Sequence, residues 1–549
     1  MSHARRISKL SAPFALLLLS ACAHMPHVES TLPRPNAEYT SSDTTYAEAC
    51  GLARSPFTAD SHWVTLQRDG SLRYALLPSG DRVLDFSNAG YMGGGVALPQ
   101  PLAVTTLVPT GRDDTAALQA ALDAIASMPL VDGMRGAIWL APGVYRVSRT
   151  LYMRASGVVL RGSGSDPQGT TLLILGEPRT AIVVQGEGTW QPVGAKVDIL
   201  DDYVPAGARS FHVAASDDFA IGDTVLVQRP VTSAWVRFMN MDTLRRNGAH
   251  ETWLGTKRVM QIDRVVTGRI ANQITVDAPL PDALDKRMVT PPGARVVHYT
   301  FDGRLDRVGI EALRVVAPKR ATAIDQAFFS GVSFDALTNG FMRDTVFEEF
   351  TTGVTIGQTA KWVTVEDVTL RRTAAIDGRA GYPFMFSVFG QQTLVQRCHT
   401  IGDRAFSYAT QSLTPGPNVV LDLHAEGRQN QLQPHQRWGT GLLVDNAHVS
   451  SSIDLMNRGI MGSGHGWTMG FGVIWNSDAA RMTVQYPPAA PNWSIGSFGE
   501  LAQSAAFGGN EVLPVGIVDA AGVRVAPASL YRAQLCLRLG PEALKNIGY

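Results

Sequence analysis

The feature that most constrains the fold is a set of short strands recurring along the second half of the chain. FMRDTVFEEF, VTVEDVTLRR, VQRCHTIGD, VLDLHAEG and SIDLMNRG, starting at residues 341, 363, 395, 420 and 452, each alternate apolar and polar side chains. Aligned, they place Val346, Val368, Cys398, Leu423 and Leu455 in equivalent inward positions, 22, 30, 25 and 32 residues apart. A β-sandwich would need hairpin turns about every 8–12 residues, and these are not evident. Irregular periods of this length instead predict a solenoid whose strands stack at ~4.8 Å while its loops vary. A repeat also removes the usual inference from length, by which 549 residues would divide into three or four domains.

Upstream, GRDDTAALQAALDAIA (residues 111–126) predicts a one-sided helix. Asp113 or Asp114 can accept hydrogen bonds from its first free amides, and Leu118, Ala121, Leu122 and Ile125 share one face. The following GAIWLAPGVYRVSRTLYMRASGVVLRGSG breaks into β-rich runs at Pro142-Gly143, Ser156-Gly157 and Gly162–Gly164. This succession resembles the start of the pectate-lyase-like right-handed β-helix, in which such a helix plugs the end of the coil. DFSNAGYMGGGVALP, GPNVVLDLHAEG, PHQRWGTGLLVDN and GSGHGW extend the likeness, which resembles uncharacterised bacterial lipoprotein members of that superfamily. The resemblance implies an all-β, right-handed parallel β-helix and says little about substrate.

The expected organisation is a signal peptide (1–22), a tether (23–48), a lead-in segment (49–112), the capping helix and first coils (113–196), an inserted β-rich module (197–300), the main β-helix (301–510) and a C-terminal strap or helix (511–549). Arg5, Arg6 and Lys9 precede APFALLLLSAC, an apolar run too short for a permanent span. LSAC resembles the lipobox of bacterial lipoproteins, which implies lipidation at Cys22 and, with Ala23 next, an outer-membrane anchor facing the periplasm or the surface. Cys50, Cys398 and Cys536 remain; a Cys50–Cys536 bridge is permitted, unpaired thiols are expected, and Cys398 reads as core. The module's middle, SAWVRFMNMDTLRRNGAHETWLGTKR, fits either a carbohydrate-facing lobe or a solvated loop with two packing tryptophans.

Lys plus Arg and Asp plus Glu each number 48, so no global field favours nucleic acid. An acidic polysaccharide or oligosaccharide, held locally, is the expected partner of an expected monomer. Alternation in VLDLHAEG turns Leu421, Leu423 and Ala425 inward and Asp422, His424 and Glu426 outward, beside Arg397 and His399 of the preceding coil. Loops leaving the same side of successive coils lie together, so His435, Arg437 and Trp438 should meet His465 and Trp467.

This set suits β-elimination on a uronic acid, where the carboxylate must be neutralised while a base removes the C5 proton. Arg437 and Arg404 fit the neutralising role, His435 or His465 proton transfer, and Asp445 could orient a His; Lys361 is a spare base. Trp438, Trp467, His424, His399, Asp422 and Lys361 are the candidate substrate contacts. Hydrolysis by two carboxyl groups is the alternative: GSGHGW resembles the Gly-His-Gly of polygalacturonase-type hydrolases, but VDN (444–446) stands where an Asp pair would be sought, leaving Asp403, Asp422, Glu426 and Asp454. A third reading is a non-catalytic glycan binder. No zinc pattern is present, the metal is unknown, and Ca²⁺ held by Asp and carbonyl oxygens would leave no readable motif.

Overall fold

The computed structural model describes Cys50, Leu52 and residues 58–321, 325–375 and 382–549. The expected signal, Cys22 and the tether lie outside the described residues. No described helix is long and apolar enough to cross a membrane.

The chain forms a right-handed parallel β-helix. Its strands join one ladder of 27, every pairing within it parallel. The coil has three faces. The first contains Pro415–Leu421, Gly439–Asp445 and Val473–Trp475, and Leu394, Val419, Leu443, Val473, Trp493 and Ile517 pair in succession up it. The second contains His399–Ile401 and His424–Glu426, and the third Ala405–Thr410 and Asn430–Leu432. His448–Leu455 and Asp478–Val484 each run round the corner from second to third.

The corner between the first and second faces repeats a single backbone device. Asp344, Asp367, Arg397, Asp422, Asn446 and Asn476 occupy equivalent places and all have φ between 45° and 54°. Asp and Asn tolerate this left-handed region better than most residues. Each is followed by an inward residue, giving the stack Thr345, Val368, Cys398, Leu423, Ala447 and Ser477. Three of the five positions aligned from sequence are therefore right. Val346 is one place out, and Leu455 lies beyond the corner on the third face. Leu421 also differs: the turn at Asp422 flips the alternation, so Val420 enters the lumen and Leu421 faces outward under cover.

Two cores result. The lumen is packed with Val, Leu and Ile from all three faces, closed at one end by α1 (Thr115–Ala126), whose Leu118, Ala121, Leu122 and Ile125 are buried in it. Asp113 takes the Thr115 amide at 3.0 Å. The second core lies outside the first face. There Leu443, Val473 and Trp475 pack against Phe86, Phe211, Trp235 and Ile262, α2 (Ser233–Phe238) and α3 (Leu530–Leu539). A sheet buried on both sides loses its polar outer rank, and each enclosed aliphatic chain contributes about 1.5–3 kcal/mol.

The covering layer includes a six-stranded antiparallel sheet, ordered Gln191–Asp198, Arg295–Thr300, Thr224–Pro230, Val259–Ile270, Gln273–Val276, Ser210–His212. Its two central tryptophans, Trp235 and Trp253, pack rather than face solvent. The thiols expected to stay unpaired are joined: Cys50 and Cys536 form a disulfide with their Cα atoms 5.6 Å apart, bringing the lead-in segment onto α3. Cys398 is free and buried, as expected.

Candidate active site

The two histidine loops lie together because rung stacking continues into them. The Arg437 amide donates to the His465 carbonyl at 3.0 Å and the Trp438 amide to the Trp467 carbonyl at 2.9 Å. The His435 and His465 rings consequently meet edge to face, centroids 4.5 Å apart. Phe384 and Phe406, stacked on each other, present their edges to His435 at 4.9 and 5.5 Å. His435 Nδ1 bonds to Gln411 Oε1 at 2.9 Å, which fixes its ring.

Cations surround the pair. Arg458 donates to the His435 carbonyl at 2.7 Å, Arg437 to Ser463 Oγ at 2.9 Å, and Arg246, reaching over from the module, to the carbonyls of Ile460 and Gly462. Burial, then Arg458, His465 and Arg437, pushes His435 down to about 2. Burial, then Arg458, Arg437 and Arg246, pushes His465 down to about 3. Burial also lowers Arg458, to about 10. Both imidazoles are therefore neutral at ordinary pH, and one carboxylate, Glu251, stands among the arginines, 3.2 Å from Arg246.

Buried polar atoms here that lack a hydrogen-bond partner among the described residues include His465 Nδ1, Arg437 Nε and Asp454 Oδ1. Asp454 accepts from Ser452 Oγ at 2.5 Å and Gln433 Nε2 at 3.3 Å, and burial raises its pKa. Arg458 and Asp454 thus add to the set that sequence placed at the histidine loops.

Other residues expected at this site are elsewhere. Trp438 and Trp467 are 1 % and 3 % exposed. The Trp438 indole donates to Asp282 at 2.8 Å and that of Trp467 to the Met239 carbonyl at 3.1 Å, both beneath the module, so neither offers a face to a glycan. Asp445 is wholly buried on the covered face, where Ser529 Oγ and the Tyr531 amide each donate to it at 2.8 Å. It holds the start of α3 and orients no histidine. Lys361 is 2 % exposed and pairs with Asp263 at 2.9 Å, in a buried cluster completed by Arg304 and Tyr299.

Arg404, His399, His424 and Asp422 lie at the coil's outer corners. Arg404 rests on the Tyr382 ring at 5.4 Å; His399 bonds to Glu426 at 2.9 Å; Asp422 accepts from Tyr549 at 2.6 Å. His424 stacks on His448, centroids 4.9 Å apart. His448 was missed, although extending the His399–His424 register one coil would have found it. Among the described residues no three His, Cys, Asp or Glu side chains are grouped to hold a metal ion.

No family model matches the chain, and no curated protein matches its sequence. Among solved structures it is similar to the tailspike protein gp49 of Pseudomonas phage LKA1 (12 % identity, TM-score 0.35, 77 % of both chains). It is similar to the A-module of the mannuronan C-5 epimerase AlgE6 of Azotobacter vinelandii (12 %, 0.30, 75 % of this chain and 73 % of that one). It is also similar to the tailspike of E. coli bacteriophage HK620 in complex with a pentasaccharide (10 %, 0.39, 82 % and 63 %).

Proposed function

We propose that the protein is a polysaccharide lyase that cleaves a uronic-acid-containing chain by β-elimination. The observation that carries this reading is a pair of neutral imidazoles in contact, ringed by Arg437, Arg458 and Arg246. A uronate carboxylate entering the ring of arginines would be neutralised there, making its C5 proton more acidic. The same negative charge offsets the arginine repulsion that, after burial, keeps the imidazoles neutral, so either becomes a better base once substrate is bound. The base takes the C5 proton, the electron pair forms the C4=C5 double bond, the C4–O bond breaks, and the leaving oxygen takes a proton from water, which the imidazolium then restores by giving up the C5 proton. An anchor at Cys22 would hold this activity at the outer membrane.

One observation favours hydrolysis as a second reading. Asp454 is raised by burial toward its protonated form, the state a general acid needs. Incubating the full chain with a panel of polyuronides and neutral glycans separates the two. Elimination yields the ultraviolet absorbance of an unsaturated uronide; hydrolysis yields reducing ends without it. His435→Asn and His465→Asn are expected to lower turnover, the base variant by about 10²–10⁴-fold, and full activity in both would refute the assignment.

A further inference from the structure

Apart from the imidazole pair, the open corner between the second and third faces carries three depressions with shared walls. One of about 880 Å³ lies among Arg372, Arg404 and Arg428. A second, of about 630 Å³, continues past Arg428 to Ser452 and Arg481. The third, of about 390 Å³, lies among His424, His448, Asp478 and Phe498. Arg428 borders the first two, Glu426 the first and third, and Ser450 the second and third. Side by side across successive coils, with these side chains as their common walls, they make up one grooved surface, called the trough below.

The chemistry of its walls repeats with the coil. His424, His448, Asp478 and Phe498 line the third depression and pair in register on four successive rungs, with His399 in register on the rung before them. At ~4.8 Å per rung, this interval is close to the length of one sugar ring in an extended chain. The cationic wall is under-compensated. Among the described residues Arg404 rests on a tyrosine ring, Arg481 lies 3.9 Å from Asp454, and Arg428 is closely paired with Asp403.

The charged groups facing the histidine row are Glu426 at His399, Asp478 at His448 with Arg524 behind it, and Asp422 and Glu426 near His424, whose pKa burial and then His448 and His399 lower in spite of those two carboxylates, so that a bound anion is what favours its charged form. With neutral imidazoles these carboxylates repel an anion; with protonated ones the row becomes attractive.

We propose that this trough is a binding site for an anionic polysaccharide laid along the coil, distinct from the imidazole pair, and that protonation of its histidine row tightens the grip. Each guanidinium can hold a carboxylate through two parallel bonds. A bound anion in turn favours the charged imidazole, so binding takes up protons. The inference rests on the proposed reading only for its substrate class.

Calorimetric titration of the full chain with polygalacturonate, polymannuronate and hyaluronate tests it, with methyl-esterified polygalacturonate and dextran as uncharged controls. Measurements at about pH 5.5 and about pH 8 bracket the ordinary imidazole range. At least one polyuronide is expected to bind, and to bind more tightly at the lower pH by about tenfold, the equivalent of one pKa unit. Arg404→Gln with Arg481→Gln should weaken binding at both pH values. His424→Gln with His448→Gln should remove only the gain at low pH. No binding by any polyanion, equal binding of the ester, or undiminished binding by the arginine variant overturns the proposal, as does a pH gain surviving the histidine variant. Elimination lost in His435→Asn while trough variants bind normally would sink this inference alone; trough binding without any elimination would sink the lyase reading alone.

Discussion

Arg458 does most, after burial, to set the state of the two imidazoles. It holds the His435 carbonyl and stands first among the charges depressing both rings. With His435 and His465 pushed to about 2 and 3, the acid limb of kcat/KM is expected well below ~6.5, the ordinary imidazole value. Arg458→Gln should move that limb upward in a pH–rate profile. A limb at the ordinary value would instead assign proton transfer to a group outside the imidazole pair. The pairing of His435 with His465 was legible because it follows from stacking alone. Arg458 was not, because its direction depends on packing against Phe406, which nothing in NRG reveals.

Strand by strand, alternation locates Val368, Cys398 and Leu423 correctly and fails where the chain turns a corner. The Asp or Asn that precedes the inward residue at every one of these corners but Arg397 was the available signal; VDN, read as a broken carboxylate pair, is one such corner. Alternation also fails on the covered face, where outward residues such as Trp438 and Asp445 are buried by a layer far away in sequence. Two changes probe that cover. Gly466 has φ 55°, and a Cβ there would come 2.4 Å from Trp253 Cδ1 and 2.7 Å from Met241 Sδ. Gly466→Ala should cost about 1–3 kcal/mol in denaturant unfolding and lower activity by displacing His465. Asp445 is raised to about 7 by burial. Its native form binds the proton more tightly than the unfolded chain does, so its stabilising contribution is present below about pH 4 and is lost as pH rises to about 7. Thermal melts of Asp445→Asn should lack that part of the wild-type decline with pH; matching pH profiles would show that the buried carboxyl is not its source.

At the scale of the whole molecule, the solenoid prediction holds, and what the sequence under-specified is the layer laid against it. The lead-in segment, the module and the C-terminal helices share one core with the outer side of the first face. The Cys50–Cys536 bridge joins the two ends of that layer across 486 residues of chain. Cys50→Ser is expected to lower unfolding free energy by about 2–4 kcal/mol, measured against the parent with its bridge intact. An unchanged transition would mean that packing alone seats α3. The bridge also fixes a load path. Tension applied between the first and last residues passes directly from sulfur to sulfur, leaving the intervening loop slack, so the stacked rungs can be peeled apart by pulling on the chain's ends only after a reductant has cut the link.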